Sequence, residues 1–77
     1  MDTDQIANLI RQQIPNIQVD VEGGEGRYHI RAVSDIFSEM GLVRRQQTIY
    51  QCIDEHIKSG AIHAVTMALS TPDEKAD

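Results

Sequence analysis

The first stretch of the chain repeats apolar residues at the spacing of an amphipathic helix. Because these positions lie three or four residues apart, their side chains share one helix face that can be buried. Asp2 or Thr3 is the predicted N-cap, and Gln5 stands where it can close a capping box. Pro15 is predicted to end the helix. The apolar face consists of Ile6, Leu9, Ile10 and Ile14.

Beyond Pro15 the pattern changes to alternation, which predicts a β-hairpin. Residues 17–21 alternate apolar and polar side chains, as in a strand with one face in the core and one in water. The stretch 23–26 contains three glycines that can take positive φ in a turn. Residues 27–33 alternate again and form the partner strand. Its polar face is predicted to carry Arg27, His29 and Arg31.

The second half of the chain predicts a short helical turn, a long helix and a third strand. Ser34 and Asp35 are placed to cap the short turn, and Gly41 separates it from the long helix. That helix is predicted to end near Gly60. The apolar run 62–69 is interpreted as a strand because it is short and holds β-branched residues. The buried stripe of the long helix is assigned to Leu42, Ile49, Ile53 and Ile57, with Tyr50 at its edge.

The predicted order is helix, strand, strand, short helix, helix, strand, which places the fold in the α/β (α+β) class. A strand, crossover helix and strand connect right-handedly, so the third strand is expected to run parallel to the second, beside the antiparallel hairpin. The result is a three-stranded mixed sheet with both helices on one face. Residues 1–72 are expected to form a single domain, and residues 73–77 a disordered acidic tail.

Composition narrows the function to a binding module. A chain of 77 residues has too small a core to hold a deep pocket, so a surface site is favoured over an enzyme active site. The formal net charge of −5 argues against general attraction to phosphate backbones. Cys52 is the single cysteine, which excludes an intramolecular disulfide. Without a long apolar run or a signal-peptide pattern, the chain is expected to be cytoplasmic and to have no membrane contact.

Three separated motifs resemble successive signatures of the BolA-like proteins. They are Ala-Val-Ser-Asp-Ile-Phe at 32–37, Val-Arg-Arg-Gln-Gln-Thr-Ile-Tyr at 43–50 and Ile-His-Ala-Val at 62–65. Their order and spacing agree with the family from about the first helix to Pro72. The resemblance implies a fold related to the second class of K-homology (KH) domains.

The same resemblance implies a partner and a ligand. BolA-like proteins are partners of monothiol glutaredoxins, and the histidine at the position of His63 helps to ligate a [2Fe-2S] cluster shared with glutaredoxin and glutathione. The isolated chain is expected to bind no cluster and to be a monomer or a weak homodimer. Family members are also described as DNA-binding transcriptional regulators in stress responses, a function that would use the helix beginning at Arg44.

The sequence departs from the family pattern in two places. Many members carry a second candidate ligand, Cys or His, in the loop between the first two strands, whereas residues 23–26 hold neither. His29 is the second candidate ligand here, although it lies two residues beyond the usual position. The family pattern also continues with a helical segment after Pro72, where this sequence has residues 73–77. Binding of a bridged cluster therefore stays open at this point.

The candidate residues also have structural explanations. His63 can be a half-buried histidine bonded to a backbone carbonyl rather than a metal ligand. Cys52 and His56 lie four residues apart on the long helix, but two ligands are too few to hold a metal, and the pair can be a semi-buried thiol beside a surface imidazole. Basic side chains can form a solvated face or meet an acidic partner or the carboxylates of glutathione. The predicted partner or nucleic-acid contacts are Arg27, Arg31, Arg44 and Arg45.

Two functions from different classes follow from these observations. The leading hypothesis is a non-enzymatic adaptor that binds a monothiol glutaredoxin and takes part in [2Fe-2S] cluster handling or iron regulation through His63. The hairpin from Gly23 to His29 is expected to be a neighbouring contact of that ligand. Besides a purely structural interaction module that binds no cluster, which is a third possibility, the rival is a DNA-binding regulator. Salt separates the two, because binding to phosphates weakens steeply as ionic strength rises.

Overall fold

Helix α1 (Thr3–Gln13) opens the structure, a computed structural model that describes residues 1–75. Asp2 is the N-cap of this helix. Its carboxylate accepts the Gln5 backbone N–H at 2.8 Å, and the Gln5 side chain accepts the Asp2 N–H at 2.9 Å. Two otherwise unpaired N–H groups at the helix start are thereby satisfied, which confirms the predicted capping box.

The hairpin follows as strands β1 (Gln18–Gly24) and β2 (Arg27–Val33), which pair antiparallel. Its turn is shorter than the predicted stretch 23–26, because Gly23 and Gly24 belong to β1 and pair with residues of β2. Only Glu25 and Gly26 connect the strands, with φ of +55° and +83°. Positive φ at both central residues is the requirement of a type I′ turn, whose twist matches that of the strands.

Strand β3 (Ala64–Ser70) runs parallel to β2 and gives the sheet formed by residues 1–75 the order β1-β2-β3. The predicted mixed sheet is confirmed. The predicted start of this strand at Ile62 is wrong, because Ile62 is buried in the link that precedes the strand. His63 therefore lies immediately ahead of β3.

The crossover between β2 and β3 consists of a 3-10 helix (Asp35–Glu39) and helix α2 (Leu42–Lys58). Ser34 caps the 3-10 helix, since its Oγ accepts the backbone N–H two residues further on at 3.2 Å. The assignment of Leu42 to the buried stripe of α2 is wrong. Leu42 is 66% exposed, and the first fully buried residue of this helix is Ile49, two turns later. The first turn of α2 therefore lies outside the core.

A short helix, α3 (Pro72–Lys75), occupies part of the predicted disordered tail 73–77. The prediction of disorder is wrong for residues 73–75, because the Glu74 carboxylate is held by the guanidinium of Arg45 at 2.7 and 3.0 Å. Residues 76 and 77 lie outside the described part of the chain, so the prediction is untested there.

The core lies between the helices and one face of the sheet. Along β2, Tyr28 and Ile30 are buried, while Arg27 and Arg31 point to the other face and are exposed. The predicted arrangement, with helices on one face only, is confirmed. In the range 1–75 no helix has the length and apolarity needed to cross a membrane. The large side chains that are fully buried include Ile6, Ile10, Ile30, Phe37, Ile49 and Ile53.

Candidate functional site

The link between α2 and β3 presents His63 at the surface. Gly60 takes a φ of +87° just after α2 and redirects the chain. Ile62 then anchors the link, because its side chain is 2% exposed and its N–H donates to the carbonyl of His56 at 3.0 Å. With Ile62 buried and the chain entering β3, the next side chain faces outward. His63 is exposed.

The hairpin turn holds His63 through both its backbone and its ring. The Gly26 carbonyl accepts the N–H of His63 at 2.7 Å and that of Ala64 at 3.0 Å. The imidazole packs on the α-carbon side of the same glycine, where an added Cβ would lie 3.1 Å from the ring atoms Cγ and Cδ2. The structure therefore brings the exposed histidine and the glycine-rich bend together.

Both ring nitrogens of His63 lack a hydrogen-bond partner among the side chains and backbone of residues 1–75. His63 is not a half-buried histidine whose ring is bonded to a backbone carbonyl. The residue is exposed, and among residues 1–75 only its backbone N–H is hydrogen-bonded. A neutral imidazole with an available lone pair is a good ligand for transition metals. The geometry is thus compatible with ligation from outside the chain.

His29 lies on the open face of the sheet, where β2 passes between Glu22 of β1 and Thr66 of β3. Its Nδ1 lies 2.7 Å from the Thr66 hydroxyl oxygen, so one of its two nitrogens is already engaged. A shallow groove of about 400 Å³ surrounds it. In the part of the chain that the structure describes, no three His, Cys, Asp or Glu side chains gather as a metal site. The groove is lined by Glu22, Gly23, Arg27, Tyr28, His29, Ala64, Val65 and Thr66.

The four predicted contact arginines have different surroundings. Arg27 and Arg44 are exposed, the first at the start of β2 and the second in the first turn of α2. Arg31 pairs with the Glu22 carboxylate at 3.2 Å, and both side chains are more than half exposed. Such an exposed pair contributes little stability, but it partly neutralises the cation. Of these three arginines, Arg27 and Arg44 form no ion pair among residues 1–75.

Arg45 points inward and joins four parts of the fold. Its side chain is 13% exposed and lies 5.8 Å from the centre of the Phe37 ring. The guanidinium donates to the carbonyls of Met40 at 3.0 Å and Leu69 at 3.2 Å, and it binds both carboxylate oxygens of Glu74. Four of its five N–H donors are thus used within the protein.

Glu74 has a structural role that the sequence analysis does not predict, although the sequence contains a capping-box pattern there. The Thr71 hydroxyl accepts the Glu74 N–H at 3.3 Å, and the Glu74 side chain accepts the Thr71 N–H at 3.0 Å, which is a second capping box with Pro72 at the first helical position. Hydrogen bonds from Arg45 and then from the Thr71 N–H lower the pKa of the Glu74 carboxyl to about 2. The spacing Thr-Pro-Asp-Glu was the available clue.

Cys52 is a buried, free thiol in the core. It is buried on α2, its Sγ donates to the Thr48 carbonyl at 3.5 Å, and burial raises the pKa of the thiol. A raised pKa keeps the sulfur protonated and a poor nucleophile at neutral pH. The semi-buried alternative describes this residue better than a role as a metal ligand with His56.

The family comparison agrees with this architecture. The model of the BolA-like protein family matches residues 6–74. The chain belongs to the BolA-like family. It is 32% identical to the acid stress protein IbaG of Escherichia coli K12 over 76 residues, which covers 99% of this chain and 90% of IbaG.

Solved structures of other BolA proteins have the same fold as this chain. A BolA protein homologue from Coxiella burnetii shares the fold with a TM-score of 0.88 at 23% identity, covering 100% of this chain and 99% of that one. The BolA domain of SufE1 from Arabidopsis thaliana is 29% identical, with a TM-score of 0.82 and 92% of each chain covered.

The three BolA-like motifs occupy distinct structural places. Residues 32–37 lead from β2 into the 3-10 helix, and residues 43–50 form the first half of α2. Residues 62–65 form the link before β3 and its first two positions. Only this last motif exposes an imidazole beside the bend, which makes it the candidate site.

Proposed function

We propose that this BolA-like protein is a non-enzymatic adaptor that binds a monothiol glutaredoxin and takes part in [2Fe-2S] cluster handling, with His63 as the ligand it contributes. The observation that carries the proposal is the exposed imidazole of His63, whose ring nitrogens have no partner within residues 1–75. A surface imidazole held beside a tight turn suits a ligand that completes a metal site on another protein.

The donor set supports a shared cluster rather than one held by this chain alone. A [2Fe-2S] cluster requires about four protein or small-molecule ligands, whereas no group of three candidate ligands occurs within residues 1–75. His63 would supply one ligand, and the glutaredoxin and glutathione would supply the others. His29 is a weaker second ligand, because its Nδ1 is bonded to Thr66.

The relatives support the same context. A BolA domain that resembles this chain occurs within SufE1 of Arabidopsis thaliana, which favours an iron–sulfur setting. The identity with a protein named for acid stress favours a role in a stress response. Arg27, exposed at the first position of β2 next to the bend, is the cation best placed to meet carboxylates of the partner or of glutathione.

The test is anaerobic reconstitution of the chain with a monothiol glutaredoxin, glutathione, iron and sulfide. We expect a heterocomplex with cluster absorption for the wild-type protein, and loss of that absorption with His63→Ala. His56→Ala is the matched control, because it removes an imidazole on α2 and should leave the spectrum unchanged. His29→Ala tests the second ligand separately. Unchanged visible absorption and stoichiometry with His63→Ala would exclude His63 from the site.

The DNA-binding alternative has less support. Helix α2 begins at Leu42, and of the two arginines that follow, Arg45 is engaged inside the protein. Phosphate contacts normally supply most of the affinity for DNA, and a chain with a net charge of −5 offers few cations for them. This alternative stays a prediction that the salt dependence of binding tests.

A further inference from the structure

We infer that Gly26 is the positioning residue of the site: its missing side chain leaves the space in which the His63 imidazole lies, so the hairpin turn determines where the ring points. The inference about ring position follows from the structure alone. Its consequence for cluster binding rests on the proposed function.

Gly26 and the His63 ring are in close steric contact. A Cβ at Gly26 would lie 3.1 Å from both Cγ and Cδ2 of the His63 ring and 3.5 Å from its Cβ. A contact at 3.1 Å is tighter than most contacts of real side chains, so the ring or the turn would have to give by a few tenths of an ångström. Gly26 is buried although it belongs to a two-residue turn. The His63 imidazole lies directly against it.

The backbone of Gly26 also helps to hold the histidine in place. Gly26 takes a φ of +83°, a left-handed conformation that costs free energy for residues with a Cβ. Its carbonyl also accepts the N–H groups of His63 and Ala64. The same residue thus anchors the histidine's backbone and supports one side of its ring, which limits the rotamers that the ring can occupy.

A restrained histidine is a better ligand than a freely rotating one. A freely rotating surface histidine loses rotamer freedom when it binds, and that loss weakens the complex. A ring supported on one side by Gly26 has already lost part of this freedom. Its nitrogens remain unpaired within residues 1–75, so the restraint does not consume the lone pair that ligation needs.

The first experiment is a double-mutant cycle with Gly26→Ala and His63→Ala, read out by urea unfolding. We expect Gly26→Ala to lower the folding equilibrium constant about tenfold more in the wild-type background than in the His63→Ala background, because removal of the ring relieves the clash. Equal losses in both backgrounds would overturn the inference. If Gly26→Ala does not fold, a folded double variant supports the inference and an unfolded one overturns it.

Two glycines supply matched controls. Gly60 has a φ of +87°, but nothing lies within 4 Å of an added Cβ, so Gly60→Ala measures backbone strain without a ring contact. Gly24 is in the same hairpin without positive φ, and an added Cβ again meets nothing within 4 Å. We expect neither variant to show coupling to His63→Ala. Coupling of similar size at Gly60 would mean that the Gly26 effect is not steric.

The second experiment separates positioning from ligation. We expect Gly26→Ala to shift the NMR signals of the His63 ring, and to weaken the cluster-loaded complex with glutaredoxin while His63→Ala abolishes it. If His63→Ala has no effect on the complex, the proposed function fails but the ring shift still tests the inference. If the ring signals of His63 are unchanged in Gly26→Ala, the inference fails whatever the glutaredoxin complex does.

Discussion

At the scale of single residues, the hairpin depends on glycines for two different reasons. Gly26 leaves room for an imidazole, whereas Gly23 leaves room for the opposite strand. Gly23 lies inside β1 with a φ of +120°, and an added Cβ would lie 2.2 Å from the Arg27 carbonyl oxygen. Backbone atoms in a paired strand cannot move aside easily, so this position excludes other residues.

We therefore predict that Gly23→Ala destabilises the protein by about 2 kcal/mol or more, through backbone strain and displacement of the hairpin. Urea unfolding measures the change. Gly24→Ala is the neighbouring control and should change stability by less than about 1 kcal/mol, because its added Cβ meets nothing within 4 Å. Equal effects at the two positions would contradict the steric explanation.

The residue scale also shows how far the site could be predicted. His63 was singled out because its motif resembles a family signature, and its exposure follows from a buried Ile62 on one side and a strand on the other. Because the sequence predicts a third strand parallel to the second, it also predicts that His63 lies beside the glycine-rich hairpin. The contact of its ring with Gly26 depends on the exact register of β2 with β3, which the sequence does not predict. That register is a property of the folded sheet.

At the scale of elements, the ion pair between Arg45 and Glu74 attaches α3 to the end of the sheet. Arg45 donates to the Leu69 carbonyl near the end of β3, an outer strand of the sheet formed by residues 1–75. Covering backbone groups at an outer strand protects them from pairing with another chain. The pair therefore has two structural effects, one on the C-terminal helix and one on the sheet edge.

Glu74→Gln should remove a pH-dependent part of the stability. The pKa of Glu74 is about 2 in the folded protein and lies near the ordinary value of 4.5 when unfolded. The carboxylate thus stabilises the fold fully above about pH 4.5, and this contribution disappears as the pH falls towards 2. We predict that the stability difference between wild type and Glu74→Gln is constant at neutral pH and shrinks between pH 4.5 and 2.

Urea unfolding at several pH values measures this difference. Asp73→Asn is the control, because it removes the adjacent carboxylate, which makes no contact with Arg45 among the described residues. The control should lack the convergence with wild type at low pH. A difference between wild type and Glu74→Gln that persists unchanged at pH 2.5 would contradict the assigned role of the ion pair.

Element boundaries were predictable where the signal is local. The capping box of α1 is confirmed because both its residues lie within four positions of each other. Leu42 was misassigned because helical periodicity identifies an apolar face but does not reveal where the neighbouring sheet ends. The prediction of disorder fails for residues 73–75 because their anchor, Arg45, is distant in sequence.

At the scale of the whole molecule, charge separates the two candidate functions. The protein carries a net charge of −5, one of its four candidate arginines is internal, and another pairs with Glu22. Weak electrostatic attraction to DNA is the expected result. The adaptor function does not depend on such attraction, since ligation by an imidazole is a short-range interaction.

We predict that fluorescence anisotropy detects no specific DNA complex at about 150 mM salt, and that the complex with glutaredoxin survives between about 50 and 200 mM salt. Arg44→Ala, which changes the exposed arginine of α2, is the informative variant for the DNA titration. Tight, sequence-specific DNA binding that is lost with Arg44→Ala and weakens steeply with salt would favour the regulator over the adaptor.

The order of the elements as far as β3, the mixed sheet and the class of the fold all follow from the amino-acid sequence. Apolar periodicity, caps and turn glycines act over a few residues, and the rule of right-handed crossovers orders the strands. The sequence also pointed to His63 through a motif.

Which side chains those elements leave free depends, by contrast, on how the whole chain packs. This packing directs Arg45 into a contact with Glu74, engages His29 with Thr66, and sets the His63 ring against Gly26. These outcomes depend on strand register and on contacts between residues far apart in the chain. Local patterns contain no information about either, because burial and pairing are settled only when the whole sheet and its helices pack together.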